Sequence, residues 1–218
     1  MTNAQQWLDK EYPSGERNNI NWLSFSYKNL TGELVLTNWA NLEEISLQDS
    51  EITSLTIINC PKLKQINARN SHLTKLEGLP VSLIGLNLNS NQLSGDLEMF
   101  SHLVNLESLS IGNWDEDKIK QGIYNQFVGS LQPLQNCPKL LYLDISNTDL
   151  NAGVEYLPSS FIGICCYAEL RPNCQLTKIV DKLEQFKKIE GKDAREKWKR
   201  EQQSKSIQYT SQIEWIKK

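Results

Sequence analysis

Apolar and polar positions recur along the chain in one frame, apolar-x-x-apolar-x-apolar. It reads Ile20/Leu23/Phe25, Leu42/Ile45/Leu47, Leu63/Ile66/Ala68, Leu83/Leu86/Leu88, Leu106/Leu109/Ile111, Leu140/Leu143/Ile145 and Phe161/Ile164/Cys166. The starts lie 22, 21, 20, 23, 34 and 21 residues apart. The period of two at the end of each frame predicts a short strand with one apolar side. In most units a further apolar residue follows five positions later, namely Leu30, Ile52, Leu73, Leu93 and Leu150. The return segments add Leu34 and Leu36, Leu55 and Ile57, Leu76 and Leu79, Leu97, Phe100 and Leu103, Leu131 and Leu134, and Val154 and Leu157. One such unit cannot bury its own apolar edge, so stability must come from neighbours in a stack.

This spacing at a period of about twenty residues is the leucine-rich-repeat pattern. The expected fold is α/β, a right-handed leucine-rich-repeat solenoid with a parallel concave sheet of about seven short strands. A helical N-cap and a C-terminal cap helix close its ends. Residues 4–12 read as the first cap, with Trp7, Leu8 and Tyr12 near one face and Pro13 and Gly15 ending it. Ile179, Val180, Leu183 and Phe186 fall at helical spacing and predict the second. The chain therefore divides into a capping helix at 1–18, repeats at 19–176 and a cap helix with tail at 177–218.

The long interval holds an insertion at 114–130. Its residues Ile119, Ile123, Tyr124, Phe127 and Val128 predict a segment folded on the body, read first as a tolerated elaboration, with a protruding recognition element as the alternative. In such repeats an asparagine normally stands three residues after the third apolar position and ties the turns together. Here that post holds Lys28, Ser50, Ser71, Asn91, Trp114, Thr148 and Glu169. Serine and threonine supply part of the bonding; Lys28, Trp114 and Glu169 do not. Loose stacking is expected at both ends and at the long repeat.

Composition sharpens this picture in two places. Of the 218 residues, 30 are leucine and 20 asparagine, a core former beside a turn former. The net charge of −3 conceals an asymmetry. Residues 1–176 carry 11 basic and 19 acidic side chains, whereas 177–218 carry 12 and 7. The repeat body and the tail are different materials, and the tail keeps no heptad. No apolar run approaches the roughly 20 residues of a membrane helix, and no signal segment precedes the repeats. Five scattered cysteines fit a reducing compartment, so the expected location is cytoplasmic. The Asn29-Leu30-Thr31 acceptor is discounted accordingly.

Candidate chemistry is sparse. His72 and His102 should lie on opposite walls, which argues against a catalytic or metal pair. Cys60 and Cys137 occupy equivalent Asn-Cys-Pro-Lys-Leu segments and read as filling. Cys165, Cys166 and Cys174 lack paired metal-ligand spacing and a nearby histidine. No phosphate loop, nucleophile motif or kinase signature occurs. No enzyme, metal or cofactor is expected.

Several segments carry a family resemblance: Trp7-Leu8-Asp9-Lys10-Glu11-Tyr12-Pro13, Gln121-Gly122-Ile123-Tyr124-Asn125, Gly129-Ser130-Leu131-Gln132-Pro133-Leu134, Leu143-Asp144-Ile145-Ser146-Asn147-Thr148-Asp149 and Ala168-Glu169-Leu170-Arg171-Pro172. Over about residues 4–188 the chain resembles intracellular leucine-rich-repeat proteins of the kind expanded in arbuscular mycorrhizal fungi. The resemblance implies the repeat fold and a broad role, without naming a partner.

The outward strand positions line the concave wall in three columns. The first is Trp22, Glu44, Gln65, Gly85, Ser108 and Tyr142. The second is Ser24, Ser46, Asn67, Asn87, Ser110 and Asp144. The third is Ser26, Gln48, Arg69, Asn89, Gly112 and Ser146. Short polar side chains leave room for a guest, and aromatic residues at the ends are favoured anchors; Trp22, Tyr27 and Tyr167 could equally pack on caps. The expected function is non-catalytic recognition of a protein or peptide by a monomer, with Trp22, Ser24, Glu44, Ser46, Gln48, Gln65, Asn67, Arg69, Asn87, Asn89, Ser110, Tyr142 and Asp144 as the contact set. No membrane and no nucleic-acid partner is expected. The alternative is a scaffold or regulatory component whose basic tail, around Lys197, Trp198 and Arg200, contacts an acidic partner or nucleic acid.

Overall fold

A computed structural model describes residues 2–158, 161 and 163–179. The apolar frames become strands Trp22–Ser24, Glu44–Ser46, Gln65–Asn67, Gly85–Asn87, Ser108–Ser110, Tyr142–Asp144 and Gly163–Cys165. These form one seven-stranded sheet in chain order. Every pairing is parallel and in step, so Leu23, Ile45, Ile66, Leu86, Leu109, Leu143 and Ile164 form one inward row. All seven are at most 3% exposed. The chain is thus a leucine-rich-repeat solenoid with a parallel concave wall.

The outer wall is not uniform. Leu30–Thr37 and Glu51–Ile58 are eight-residue strands, joined by Thr2–Asn3 on one side and Lys75–Glu77 on the other. Their sequences alternate, so Leu34, Leu36, Leu55 and Ile57 are buried while Val35 and Ile58 face solvent. Gly78 ends this wall at φ +74°, where a side-chain carbon would collide with the Ile57 carbonyl oxygen. Later repeats return through single turns of 3-10 helix at Glu98–Phe100, Gln132–Asn136 and Val154–Tyr156. Pro133 near the start of the second favours that choice, because its fixed φ suits a helical turn and it has no N–H for a sheet ladder.

The first end is closed as expected. Helix Ala4–Glu11 is capped by the Asn3 side chain, which accepts from the Gln6 N–H at 3.0 Å. Leu8 is fully buried, Trp7 meets Phe25 edge-on at 5.3 Å, and Tyr12 meets Trp39 at 6.1 Å. At the other end Cys174, Leu176 and Ile179 are buried. Val180, Leu183 and Phe186, and the tail with Lys197, Trp198 and Arg200, lie outside the described residues.

The insertion is shorter than the sequence suggested, and the reason is Asn125. Its Nδ2 donates to the carbonyls of Leu88 at 2.8 Å and Ile111 at 3.2 Å, and its Oδ1 accepts from the Leu93 N–H at 3.1 Å. Asn91 makes the same set one turn earlier, to Leu88 and Ala68 and from Leu73. Asn125 therefore holds the post assigned to Trp114, and the ladder is intact at the long repeat. Gln126–Ser130 is an outer-wall strand between Ser94–Gly95 and Asp149–Ala152, with Phe127 fully buried. Only residues 114–124 leave the stack. Asn113 then binds across the gap, accepting from the Asn125 N–H at 2.8 Å and donating to the Asn125 carbonyl at 2.9 Å.

Excision of 114–124 joins Ile111-Gly112-Asn113 to Asn125-Gln126-Phe127, in register with Leu88-Asn89-Ser90 and Asn91-Gln92-Leu93. That variant is expected to keep its far-UV circular dichroism and a cooperative melt. Excision of 114–130 removes a post and a core ring and is expected to lose both. Equal behaviour of the two variants would contradict the boundary at Tyr124.

Candidate functional site

The concave wall presents the contact set unevenly. Trp22 and Tyr142 are about half exposed, and Glu44, Gln65 and Arg69 are exposed. Ser24, Ser46, Gln48, Asn67, Asn87, Ser110 and Asp144 are half-buried, and Asn89 is buried. Much of the second column is engaged in turning the chain out of the strand. Ser24, Asn67, Asn87 and Asp144 each accept from the N–H two residues on, at 3.0–3.4 Å. Asn29, Asn38, Asn59, Asn70 and Asn147 adopt positive φ, where asparagine is tolerated best after glycine. Part of the asparagine surplus is thus spent on turns.

Two hydrogen-bonded groups divide the third column. Toward the first repeats, Gln48 Nε2 donates to the Tyr27 hydroxyl and to Asp49 Oδ2, both at 2.9 Å, while Asn67 Nδ2 donates to Gln48 Oε1 at 3.1 Å. Burial pushes the Asp49 carboxyl up, but hydrogen bonds from Asn70, Gln48 and Tyr27, aided by the Arg69 charge, hold it below the ordinary carboxylate value. The Tyr27 phenol is raised, first through its hydrogen bond with Asp49. Toward the last repeats, Asp144 Oδ2 accepts from Asn89 Nδ2 at 2.8 Å and from the Trp114 indole N–H at 2.7 Å. Gly112 lies beneath this junction, and a side-chain carbon there would come within 2.7 Å of Asp144 Oδ1. Arg69, between the two groups, makes no ion pair within 4.0 Å among the described residues.

The insertion lies along the turns that follow the concave strands. Trp114 and Tyr167 meet edge-on at 5.3 Å, so Tyr167 packs on the insertion. Asp115 caps the short helix Glu116–Lys120, accepting from the Lys118 N–H at 2.9 Å. Lys118 Nζ reaches Asn70 Oδ1 at 2.6 Å, and Lys120 pairs with Glu116 at 2.7 Å. At its far end Tyr124 lies under the Arg171 guanidinium, 4.3 Å from the ring centroid. Arg171 also pairs with Asp149 at 2.7 Å and donates to the Asn147 carbonyl at 3.0 Å. The segment is held at both ends and in the middle.

A groove of about 450 Å³ opens between this segment and the turns of repeats two to four. Gln48, Asp49, Arg69, Asn70 and Ser90 form the repeat side, and Trp114, Asp115, Glu116 and Asp117 the insertion side. Gln48 and Arg69 belong to the sequence-derived contact set. Trp114 and the acidic triplet do not, although Asn125-Gln126-Phe127, which repeats Asn91-Gln92-Leu93, marks where the insertion ends and would have pointed to them.

Elsewhere the chemistry is quiet. Burial pushes the Cys137 thiol up to about 11 and raises Cys60 and Cys174, which keeps them protonated and unreactive. Burial, with Lys118 nearby, lowers His72, and His102 Nε2 is bonded to the Leu79 carbonyl at 2.8 Å. Among the described residues no three His, Cys, Asp or Glu side chains gather to hold a metal ion, and no helix is long and apolar enough to cross a membrane.

No protein-family model and no curated protein matches the chain. Among solved structures it is similar to internalin InlF of Listeria monocytogenes at 17% identity and a TM-score of 0.40, covering 77% of this chain and 62% of that one. Internalin C2 of the same species is 19% identical with a TM-score of 0.41, over 75% of this chain and 80% of that one. A leucine-rich-repeat protein of Leptospira interrogans is 17% identical with a TM-score of 0.37, over 82% and 56%. The chain thus spans less than two thirds of two of these proteins. The fold assignment rests on the chain's own seven strands and their register.

Proposed function

We propose that the chain is a non-catalytic leucine-rich-repeat module that binds a protein or peptide on its concave wall. The observation that carries this reading is the contrast between the two halves of that wall. Asp144 is tied to Asn89 and to Trp114, whereas Trp22, Glu44, Gln65 and Arg69 project without such side-chain bonds among the described residues. Exposed aromatic and arginine side chains beside short polar ones are the usual composition of a binding patch. Tyr142 supplies a second aromatic anchor at the other end.

The same reading makes the chain a monomer of the cytoplasm, whose reducing medium suits its five scattered cysteines. It retains the division into a cap at 1–18, repeats at 19–176 and a cap helix with tail at 177–218. It also retains the kinship with the intracellular repeat proteins of arbuscular mycorrhizal fungi that the insertion and closing segments suggest.

The test is affinity capture from fungal cell extract with the full chain, with Trp22→Ala, and with Arg69→Glu combined with Tyr142→Ala. Both variants are expected to lose the captured protein at least tenfold while a control on the outer wall, Val35→Thr, retains it. Unchanged capture by both variants would remove the concave wall as the binding face.

A further inference from the structure

The concave sheet ends abruptly at its first strand. Trp22–Ser24 pairs with Glu44–Ser46 on one side, and no described strand lies on the other. The Asn21 carbonyl accepts from the Glu44 N–H at 3.1 Å, and the Phe25 N–H donates to the Ser46 carbonyl at 2.7 Å. Main-chain groups alternate in direction along a strand, so residues 21, 23 and 25 turn theirs to the second repeat. Trp22 and Ser24 turn theirs outward, and neither their N–H nor their C=O groups have a protein partner among the described residues.

The rest of a turn is already in place at this end. Thr2–Asn3 extends the outer wall by pairing with Leu30 and Thr31, and helix Ala4–Glu11 closes the core with Leu8 fully buried. Only the concave layer of that turn is missing among the described residues. The first repeat also carries the two most exposed aromatic side chains among them, Trp22 at 53% and Tyr27 at 71%. Tyr27 holds a positive φ of 57° at a post that Asp49, Asn70, Ser90 and Asn147 fill in other repeats. A bulky ring is strained there and asparagine is not. The Tyr27 hydroxyl accepts from Gln48 Nε2 at 2.9 Å, which fixes the ring's direction. An oriented, exposed aromatic kept at a strained post marks a contact site.

We propose that this edge takes an extended peptide segment of a partner protein, which adds an eighth strand to the concave sheet and lays side chains against Trp22 and Tyr27. The contact rests on the concave wall being a binding face, and it fixes the form of the guest. The guest offers a stretch of proline-free extended backbone matching the three residues of the edge, with an apolar side chain beside Trp22. A second copy fits poorly. The cap helix lies at this same end, a helix is about 10 Å across, and paired strands stand about 4.8 Å apart. Two capped ends cannot both come within pairing distance, whereas a lone strand brings no cap.

Residue-resolved hydrogen exchange by NMR on the full chain tests this, with a probe peptide selected from a phage-displayed random library and then synthesised. In the free chain the Trp22 and Ser24 amides should exchange fast, while those of Leu23 and Phe25 are protected. Bound peptide should slow Trp22 and Ser24 at least about tenfold. N-methylation of single peptide residues should weaken binding several-fold at alternate positions only, because every second N–H faces the edge. Protection of Trp22 and Ser24 in the free chain would overturn the proposal. It assigns the slot to the chain's own residues if independent of concentration, and to a second copy if not. An N-methyl scan without alternation also overturns it, as does a binder that protects Gln65 and Arg69 but leaves Trp22 and Ser24 fast; the concave wall then stays a binding face without this edge. A library that yields no binder overturns it too and leaves the wall to folded partners, which capture with Trp22→Ala and with Arg69→Glu plus Tyr142→Ala tests separately.

Discussion

Replacing Asn125 with alanine is expected to destabilise the chain by at least about 2 kcal/mol. The change deletes one side chain but strands two main-chain groups, the Leu93 N–H and the Ile111 carbonyl, while the Leu88 carbonyl keeps its bond from Asn91. Asn125 is fully buried, so water cannot replace it without opening the stack. Each buried unpaired group costs about 1–3 kcal/mol. Urea denaturation followed by circular dichroism measures the loss, with Asn91→Ala as the internal standard. The two should agree within about 1 kcal/mol, because their bonds are equivalent. A loss near zero for Asn125→Ala alone would mean that the long repeat is not stitched at this position.

Phe127→Ala is expected to cost about 3–5 kcal/mol, the range for truncating a large core aromatic. The ring is fully buried and lies 5.9 Å from Phe100 at a 55° tilt, so its removal opens a void between two outer-wall returns. The neighbouring Val128 is 47% exposed, and Val128→Ala should stay within about 0.5 kcal/mol. This pair discriminates a strand of the stack from a surface elaboration. Equal small shifts for both would return residues 126–130 to the insertion.

The inward row of the solenoid was legible because it obeys one spacing with few exceptions. Leu23 through Ile164 occupy the positions that the frame assigns, and so do Leu34, Leu36, Leu55 and Ile57 on the outer side. The extended outer strands were also present as alternation in Leu30–Thr37 and Glu51–Ile58, but a scheme of strands and returns gave them no element of their own. The ladder post at the long repeat was misassigned for a definite reason. Counting forward from Ile111 lands on Trp114, whereas the chain leaves the stack after Asn113 and rejoins it at Asn125. A fixed offset cannot see a detour; a repeated tripeptide can.

The wall was less legible than the core. Side-chain direction follows from strand parity, so the exposed Trp22, Glu44, Gln65, Arg69 and Tyr142 were found in advance. Their commitments were not. Asn89 reaches Asp144 across 55 residues of sequence, and the glycine between their strands is what lets them meet. Nor could spacing place Asp115 and Asp117 opposite Asp49, because that juxtaposition depends on how Trp114 and Tyr124 are anchored.

A stack that touches only its neighbours can fray from either end like a loosely wound spring. Here a strap runs across the coils. Lys118 fastens it to the third turn, Trp114 to the strand of the sixth and to Tyr167 beyond it, and Tyr124 to Arg171 at the close. Turns three to seven therefore share ties beyond those to their immediate neighbours. The first two turns lie outside the strap and are held by the sheet pairings, the long outer strands and the cap helix. The strap thus adds a second set of ties, across the turns, to the neighbour-to-neighbour pairing of the sheet.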